Sequence, residues 1–123
     1  ARALMAIPAA RAVEFGRGVN AGLMRGSKHN DKWGEDMSLD EGADGALGGM
    51  ASGAPIHVRV TFKPPSGISK PQETFNQVTG MMEELAIKGR HDPVIAPRAR
   101  PVVEAVARLV IADLGIQGGY IDG

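Results

Sequence analysis

Apolar and polar residues alternate most cleanly at Ile56, Val58, Val60 and Phe62, with His57, Arg59 and Thr61 between them. A period of two places the first set on one face and the second on the other, so Pro55 to Phe62 reads as a half-buried strand. Ala12 to Gly16 (AVEFG) alternates in the same way over a shorter span. Near the C-terminus the period changes to 3.6: Val102, Val103, Val106, Leu109 and Val110 form one apolar stripe, and Glu104 and Arg108 stand four apart on the wet side. Pro101 suits the first turn of that helix, Asp113 ends the pattern, and Gly115 is the expected left-handed cap. Ala3, Leu4 and Ile7 give a helical face that Pro8 stops. The run ARALMAIP reads like the end of a helix whose beginning is missing, which predicts a piece of a longer chain.

Between these elements the pattern is weaker. Val19 to Arg25 could make two turns of helix, and Arg25 to Asp31 (RGSKHND) reads on its own as a polar loop with a solvated His29. Trp33 to Gly42 is acidic and polar, an expected mobile excursion. Gly45 to Gly53 (GALGGMASG) is so short of side chains that it is either a linker or a strand approached closely by something else. Met81 to Lys88 carries strong helix formers, yet Thr79 and Gly80 make a turn before it and Leu85 and Ile87 alternate.

Composition narrows the function classes. Fourteen basic and fourteen acidic residues cancel, so no global field favours nucleic acid or an anionic membrane, and any anion site is local. The absence of cysteine excludes a disulfide frame and thiolate metal ligation, which fits a reducing compartment. The longest apolar run, Val102 to Ile111, is broken by Glu104 and Arg108 and is too short to span a bilayer. Seventeen glycines are about twice the usual share of roughly 7%, which points to turns and close backbone approaches.

The densest chemistry lies in Lys88 to Asp113, KGRHDPVIAPRARPVVEAVARLVIAD. Arg90, His91 and Asp92 set a fixed cation, a titratable imidazole and a carboxylate on consecutive residues, and Pro93 disfavours helix at Asp92. Arg98 and Arg100, spaced by two, would share a face of an extended segment and offer planar forks to phosphate or carboxylate oxygens. Directly after the clearest strand comes KPPSGISKPQ, in which Lys63 emerges at the strand end, Pro64 and Pro65 stiffen the exit, and Ser66 and Gly67 offer backbone N–H groups. On these residues alone the first segment is either an anion site or a salt-bridged turn, and the second either a phosphate cradle or a rigid loop. His57 reads as a half-exposed sheet residue, since no second ligand stands at a suitable spacing.

The stretch GRHDP followed by PRARPVVEA and LVIAD resembles the C-terminal signature of the chorismate synthase family. The likeness continues upstream through RAVEFG, RGSKHND, GALGGMASG and KPPSGISKPQ, and it lines the whole chain up with roughly the last third of that family's sequence. The resemblance implies a 1,4-anti elimination of phosphate from 5-enolpyruvylshikimate 3-phosphate, with reduced FMN as cofactor and NADP as the associated nicotinamide nucleotide. It further implies a cytoplasmic homotetramer in aromatic amino acid biosynthesis, with no nucleic-acid or membrane partner. It makes Asp92, Arg90 and His91 the catalytic group, with Asp92 near the flavin ring relaying protons and His91 as the neighbour that braces the turn. Pro8, Ala9, Gly48, Lys63, Pro64, Pro65, Ser66, Gly67 and Arg90 become the flavin contacts. It marks RGSKHND as a landmark near the active-site rim, and it decides Met81 to Lys88 for strand.

Pro8, Ala12, Asp44, Pro65 and Gly67 are among the positions that depart from the family pattern. The proline at 65 and glycine at 67 remove two side-chain hydroxyls, and a carboxylate at 44 would repel a phosphate-bearing cofactor unless it faces away. The family's two acid histidines belong to its N-terminal part, so the resemblance implies that this segment alone does not turn over. The expected architecture is α+β: residues 1–123 as the C-terminal segment of a single domain, with Ala12 to Gly16, Gly45 to Ser52, Pro55 to Phe62 and Met81 to Lys88 in a mainly antiparallel sheet and the C-terminal helix across one face. Two other readings remain open, a non-catalytic flavin- or phosphate-binding module and an assembly domain.

Overall fold

The computed structural model describes residues 1–36, 39 and 44–122. Elements follow in the order α1 (Arg2–Met5), β1 (Ala10–Phe15), a 3-10 helix (Gly18–Leu23), α2 (Gly26–His29), β2 (Ala46–Leu47), β3 (Met50–Ala51), β4 (Val58–Phe62), β5 (Gln72–Asn76), β6 (Met81–Leu85) and α3 (Ala96–Gln117). The mixed helix and antiparallel-sheet class expected from the sequence is what forms. The single sheet is not: the strands make three separate antiparallel ribbons, β1–β4, β2–β3 and β5–β6.

In the first ribbon Val13 lies opposite Val60, Glu14 opposite Arg59 and Phe15 opposite Val58, with a bulge between Ala10 and Ala12. The alternation read from the sequence survives only at the end of the segment: the strand starts at Val58 and not at Pro55, Ile56 and Val58 are exposed, Val60 and Phe62 are half-buried, and Arg59 reaches across the other face to Glu14 at 3.2 Å. Glu14 also accepts the Val19 N–H at 3.1 Å, and this bond, then the Arg59 guanidinium, holds its carboxyl below the usual carboxylate range. His57 precedes β4 and is exposed, and its carbonyl accepts the Gly16 N–H at 2.8 Å.

Two short elements replace broader expectations. Gly45 to Ser52 is a hairpin of two-residue strands turning at Gly48 and Gly49, both at positive φ, which suits a tight right-twisting turn. The Val19 to Arg25 helix is a 3-10 segment, and one turn of α-helix sits within the stretch read as a polar loop. Trp33 bridges Leu39, while residues 37, 38 and 40–42 of the expected excursion lie outside the described residues.

Met81 to Leu85 is a strand because Gln72–Asn76, which carries no clear period, pairs with it in register. The turn between them is locked by polar side chains: Asn76 Oδ1 accepts the Val78 N–H at 2.8 Å, and Glu83 accepts from Asn76 Nδ2 at 2.9 Å and Thr79 Oγ1 at 2.6 Å. These two donors hold the Glu83 carboxyl below its ordinary range.

Helix α3 begins five residues earlier than the pattern indicated, with Pro97 in its first turn and Pro101 inside it. Arg98 and Arg100 are therefore helical, about 200° apart around the axis, and do not form the shared fork expected of an extended segment. Arg100 bonds Glu104 at 2.9 Å instead, and Arg108 approaches the same carboxylate at 4.0 Å. Gly115 is not the cap. The helix runs on to Gln117, and Gly119 at φ +72 takes the left-handed position. Tyr120 N–H returns to the Gly115 carbonyl at 2.8 Å and Gly119 N–H to Ile116 at 3.0 Å, the paired bonds that close a helix on glycine. Gly115 instead admits Ile121, whose Cδ1 would lie 2.7 Å from a Cβ at that position.

The buried apolar side chains among the described residues are those of Leu4 and Ala10, where α1 meets α3 and β1. A compact protein of 12.9 kDa exposes about 6,300 Å², whereas this chain exposes 10040 Å². Phe75, Met82, Leu109 and Ile111 are among the large apolar side chains left in the open. No described helix is long and apolar enough to cross a membrane.

Candidate functional site

Lys63 is placed by main chain. Its N–H donates to the Ala9 carbonyl at 3.0 Å, carrying the β1–β4 ladder one step beyond the last side-chain pair. Pro64 and Pro65 cannot donate, so the chain leaves the ladder there and turns through Ser66 and Gly67. Ala9 itself sits at φ +67, a conformation that costs a non-glycine residue on the order of 1–2 kcal/mol; the Lys63 N–H on its carbonyl and the bond from the Ala10 N–H to the Ile7 carbonyl at 3.1 Å fix the backbone around it.

The second segment spans the gap between β6 and α3. His91 Nε2 lies 3.2 Å from the Ile87 carbonyl, closing the turn over Lys88 to Arg90. Ile95 caps the helix from the other side, its carbonyl accepting the Arg98 and Ala99 N–H groups at 2.9 Å.

These two segments, separated by more than twenty residues in the chain, line one cavity of about 310 Å³. Its walls are Lys63, Pro64, Pro65, Ser66 and Gly67 on one side and Arg90, His91, Asp92 and Ile95 on the other. Two fixed cations, an imidazole, one carboxylate and an apolar wall of prolines and Ile95 make a site for an anion attached to a flat or apolar body. A Cβ on Gly67 would lie 3.7 Å from His91 Nδ1, so the two segments face each other closely there.

Eight of the residues singled out from the sequence thus meet in one place. Three do not line this cavity. Ala9 touches the site through its carbonyl on Lys63, Pro8 is exposed in the turn before β1, and Gly48 is at the β2–β3 turn with open space around it. Asp44 turns toward the Gly16–Gly18 turn: Oδ1 accepts the Arg17 N–H at 3.1 Å, and Oδ2 lies 3.9 Å from His29 Nε2. Its carboxylate is therefore engaged elsewhere and is absent from the cavity wall. Ile95, and the Ile87 carbonyl that orients His91, carried no signal in the sequence, because each acts by position alone.

A second groove of about 310 Å³ lies between β4 and α3, lined by Val60, Phe62, Ala96, Arg100, Val103 and Glu104. It offers one ion pair, already closed on itself, and no convergent donors. Among the described residues no three His, Asp or Glu side chains cluster to hold a metal ion.

Comparison with known proteins agrees with the motifs. The family model described as chorismate synthase matches residues 1–116. Over 118 residues the chain is 50% identical to the chorismate synthase of Aeropyrum pernix, covering 93% of this chain and 31% of that protein. It is 46% identical over 126 residues to the enzyme of Methanosarcina mazei, covering 99% of this chain and 34% of the relative. It is 44% identical over 125 residues to that of Dehalococcoides mccartyi, at 98% and 34%. The chain thus spans about a third of the length of these relatives. With the match running through both walls of the cavity and through the elements that carry them, the chain belongs to the chorismate synthase family.

Proposed function

We propose that this chain supplies the flavin-holding wall of a chorismate synthase, which eliminates phosphate from 5-enolpyruvylshikimate 3-phosphate to give chorismate. The observation that carries the reading is the convergence of Lys63–Gly67 and Arg90–Asp92 on a single cavity. The donor set suits FMN: Lys63, Arg90 and the N–H groups of Ser66 and Gly67 suit its anionic and carbonyl oxygens, and Pro64, Pro65 and Ile95 suit the ring. Bound there, reduced FMN would supply transient electron density for the loss of phosphate. Lys63 and Arg90 bind and orient, and their positive charge favours the anion as it develops. Asp92, exposed on the cavity wall, is the group positioned to hold or pass a proton.

The proposal extends to NADP as the nicotinamide partner of the flavin and to a cytoplasmic homotetramer. The exposed apolar side chains on the 10040 Å² surface are for further protein to cover, either the rest of the family's domain or another subunit. By itself the chain should form no chorismate.

FMN titration and anaerobic chorismate formation on the natural full-length product test this. Arg90→Ala should weaken FMN about 10- to 150-fold, the loss of one charge-assisted hydrogen bond of about 1.5–3 kcal/mol. Asp92→Ala should keep FMN while turnover falls about 10²- to 10⁴-fold. If both variants remain fully active, the turn is structural and the assignment is wrong. Absence of flavin binding in the complete assembly would leave the assembly role alone.

A further inference from the structure

Of the three histidines, all among the described residues, only His91 lines the cavity. Its ring is oriented by a bond whose direction is not free. The Ile87 oxygen is a carbonyl and can only accept, so at 3.2 Å it requires the proton on Nε2. In the neutral ring the lone pair is then on Nδ1, which is the nitrogen turned toward Gly67 across the cavity wall. Gly67 has no side chain to satisfy it, and a Cβ built there would lie 3.7 Å from that nitrogen.

We propose that Nδ1 of His91 is a proton-gated donor to the anion held in this cavity, so that anion binding takes up one proton at that nitrogen. The inference rests on the cavity being an anion site and adds the linkage. The charged groups facing the ring are Lys63 from the loop after β4, and Arg90 and Asp92 from its own turn; Ile95, the residue before α3, adds no charge. A bound dianion favours the protonated ring, because Nδ1–H then donates to a full negative charge. His91 is accordingly a binding group whose titration rises when the anion is bound. Affinity is greatest below the free-state titration and declines as pH rises through the bound-state one.

Inorganic sulfate, which stays a dianion throughout the relevant range, is the probe, used on the natural full-length product. Long-range ¹H–¹⁵N spectra of ¹⁵N-histidine protein should show the Nε2–H tautomer of His91 at high pH. Sulfate should shift the titration of His91 upward by about one unit, and sulfate should bind about tenfold more tightly near pH 5.5 than near pH 8.5. Gly67→Ser places a hydroxyl beside Nδ1 and should flatten the pH dependence while preserving the fold. His91→Gln keeps a donor for Ile87 without a titratable nitrogen and should abolish the dependence. An Nδ1–H tautomer, or a His91 titration that sulfate does not move, overturns the inference. If sulfate shows the linkage but FMN does not compete with it, the role of His91 stands and the flavin reading falls. If FMN binds while sulfate leaves His91 unmoved, the flavin reading stands and this inference falls.

Discussion

Replacing Gly16 by alanine tests how the β1 turn is built. Gly16 sits at φ +51, and a Cβ there would overlap the Asp44 carboxylate. Two costs follow. The left-handed backbone conformation costs an L-residue about 1–2 kcal/mol. Displacing Asp44 breaks its 3.1 Å bond from the Arg17 N–H, a charged hydrogen bond in a part-buried setting whose loss costs about 1.5–3 kcal/mol. Gly16→Ala should therefore destabilise by about 2.5–5 kcal/mol. In an Asp44→Gly background the whole side chain is gone, including the Cβ that would lie 2.8 Å from the new one, so only the backbone cost of about 1–2 kcal/mol should remain. Denaturant unfolding of the full-length wild type, both single variants and the double variant measures the coupling. An equal loss from Gly16→Ala in both backgrounds would refute the argument, since it would mean that Asp44 does not occupy the space beside Gly16.

Three further outcomes follow from the geometry. Because the Val19 N–H and Arg59 hold Glu14 below its ordinary value of 4.5, its stabilising contribution is present above that value and is lost as pH falls through the lower folded value. Glu14→Gln should flatten acid unfolding of the β1–β4 ribbon, as read by hydrogen exchange at β1 amides, and an unchanged acid profile would speak against the bond. Pro101 interrupts the early part of α3, so Pro101→Ala should stabilise the helix by up to about 3 kcal/mol, and a fall in melting temperature would mean that the proline is required by packing. Leu4→Ala should cost about 2–5 kcal/mol, since Leu4 is one of the two buried apolar side chains described, and a neutral result in a thermal melt would place the core elsewhere.

Much of the candidate site was legible because its chemistry is written in contiguous runs. Lys63 to Gly67 and Arg90 to Asp92 are each specified locally, by a strand exit into prolines and by a charged turn before Pro93. Their apposition was not legible, since neither run carries any mark of the other. The register of β1 on β4 sets where Lys63 emerges, while β6 and α3 set where Arg90 lies.

By itself the sequence determined the period-two face of Val58–Phe62, the helical stripe of α3 and the family, since each depends on side chains near one another in the chain. Tertiary structure decided the rest. It turned Met81–Leu85 from a good helix former into a strand, because pairing with Gln72–Asn76 outweighs propensities of less than about 1 kcal/mol per residue. It made Arg98 and Arg100 helical by letting Pro97 start α3 early, and it drew Asp44 onto the Gly16 turn and out of the cavity wall. It also left three ribbons where one sheet was expected. Strand partners, unlike strand faces, are chosen by long-range contact, and alternation along one segment cannot encode which segment will lie beside it.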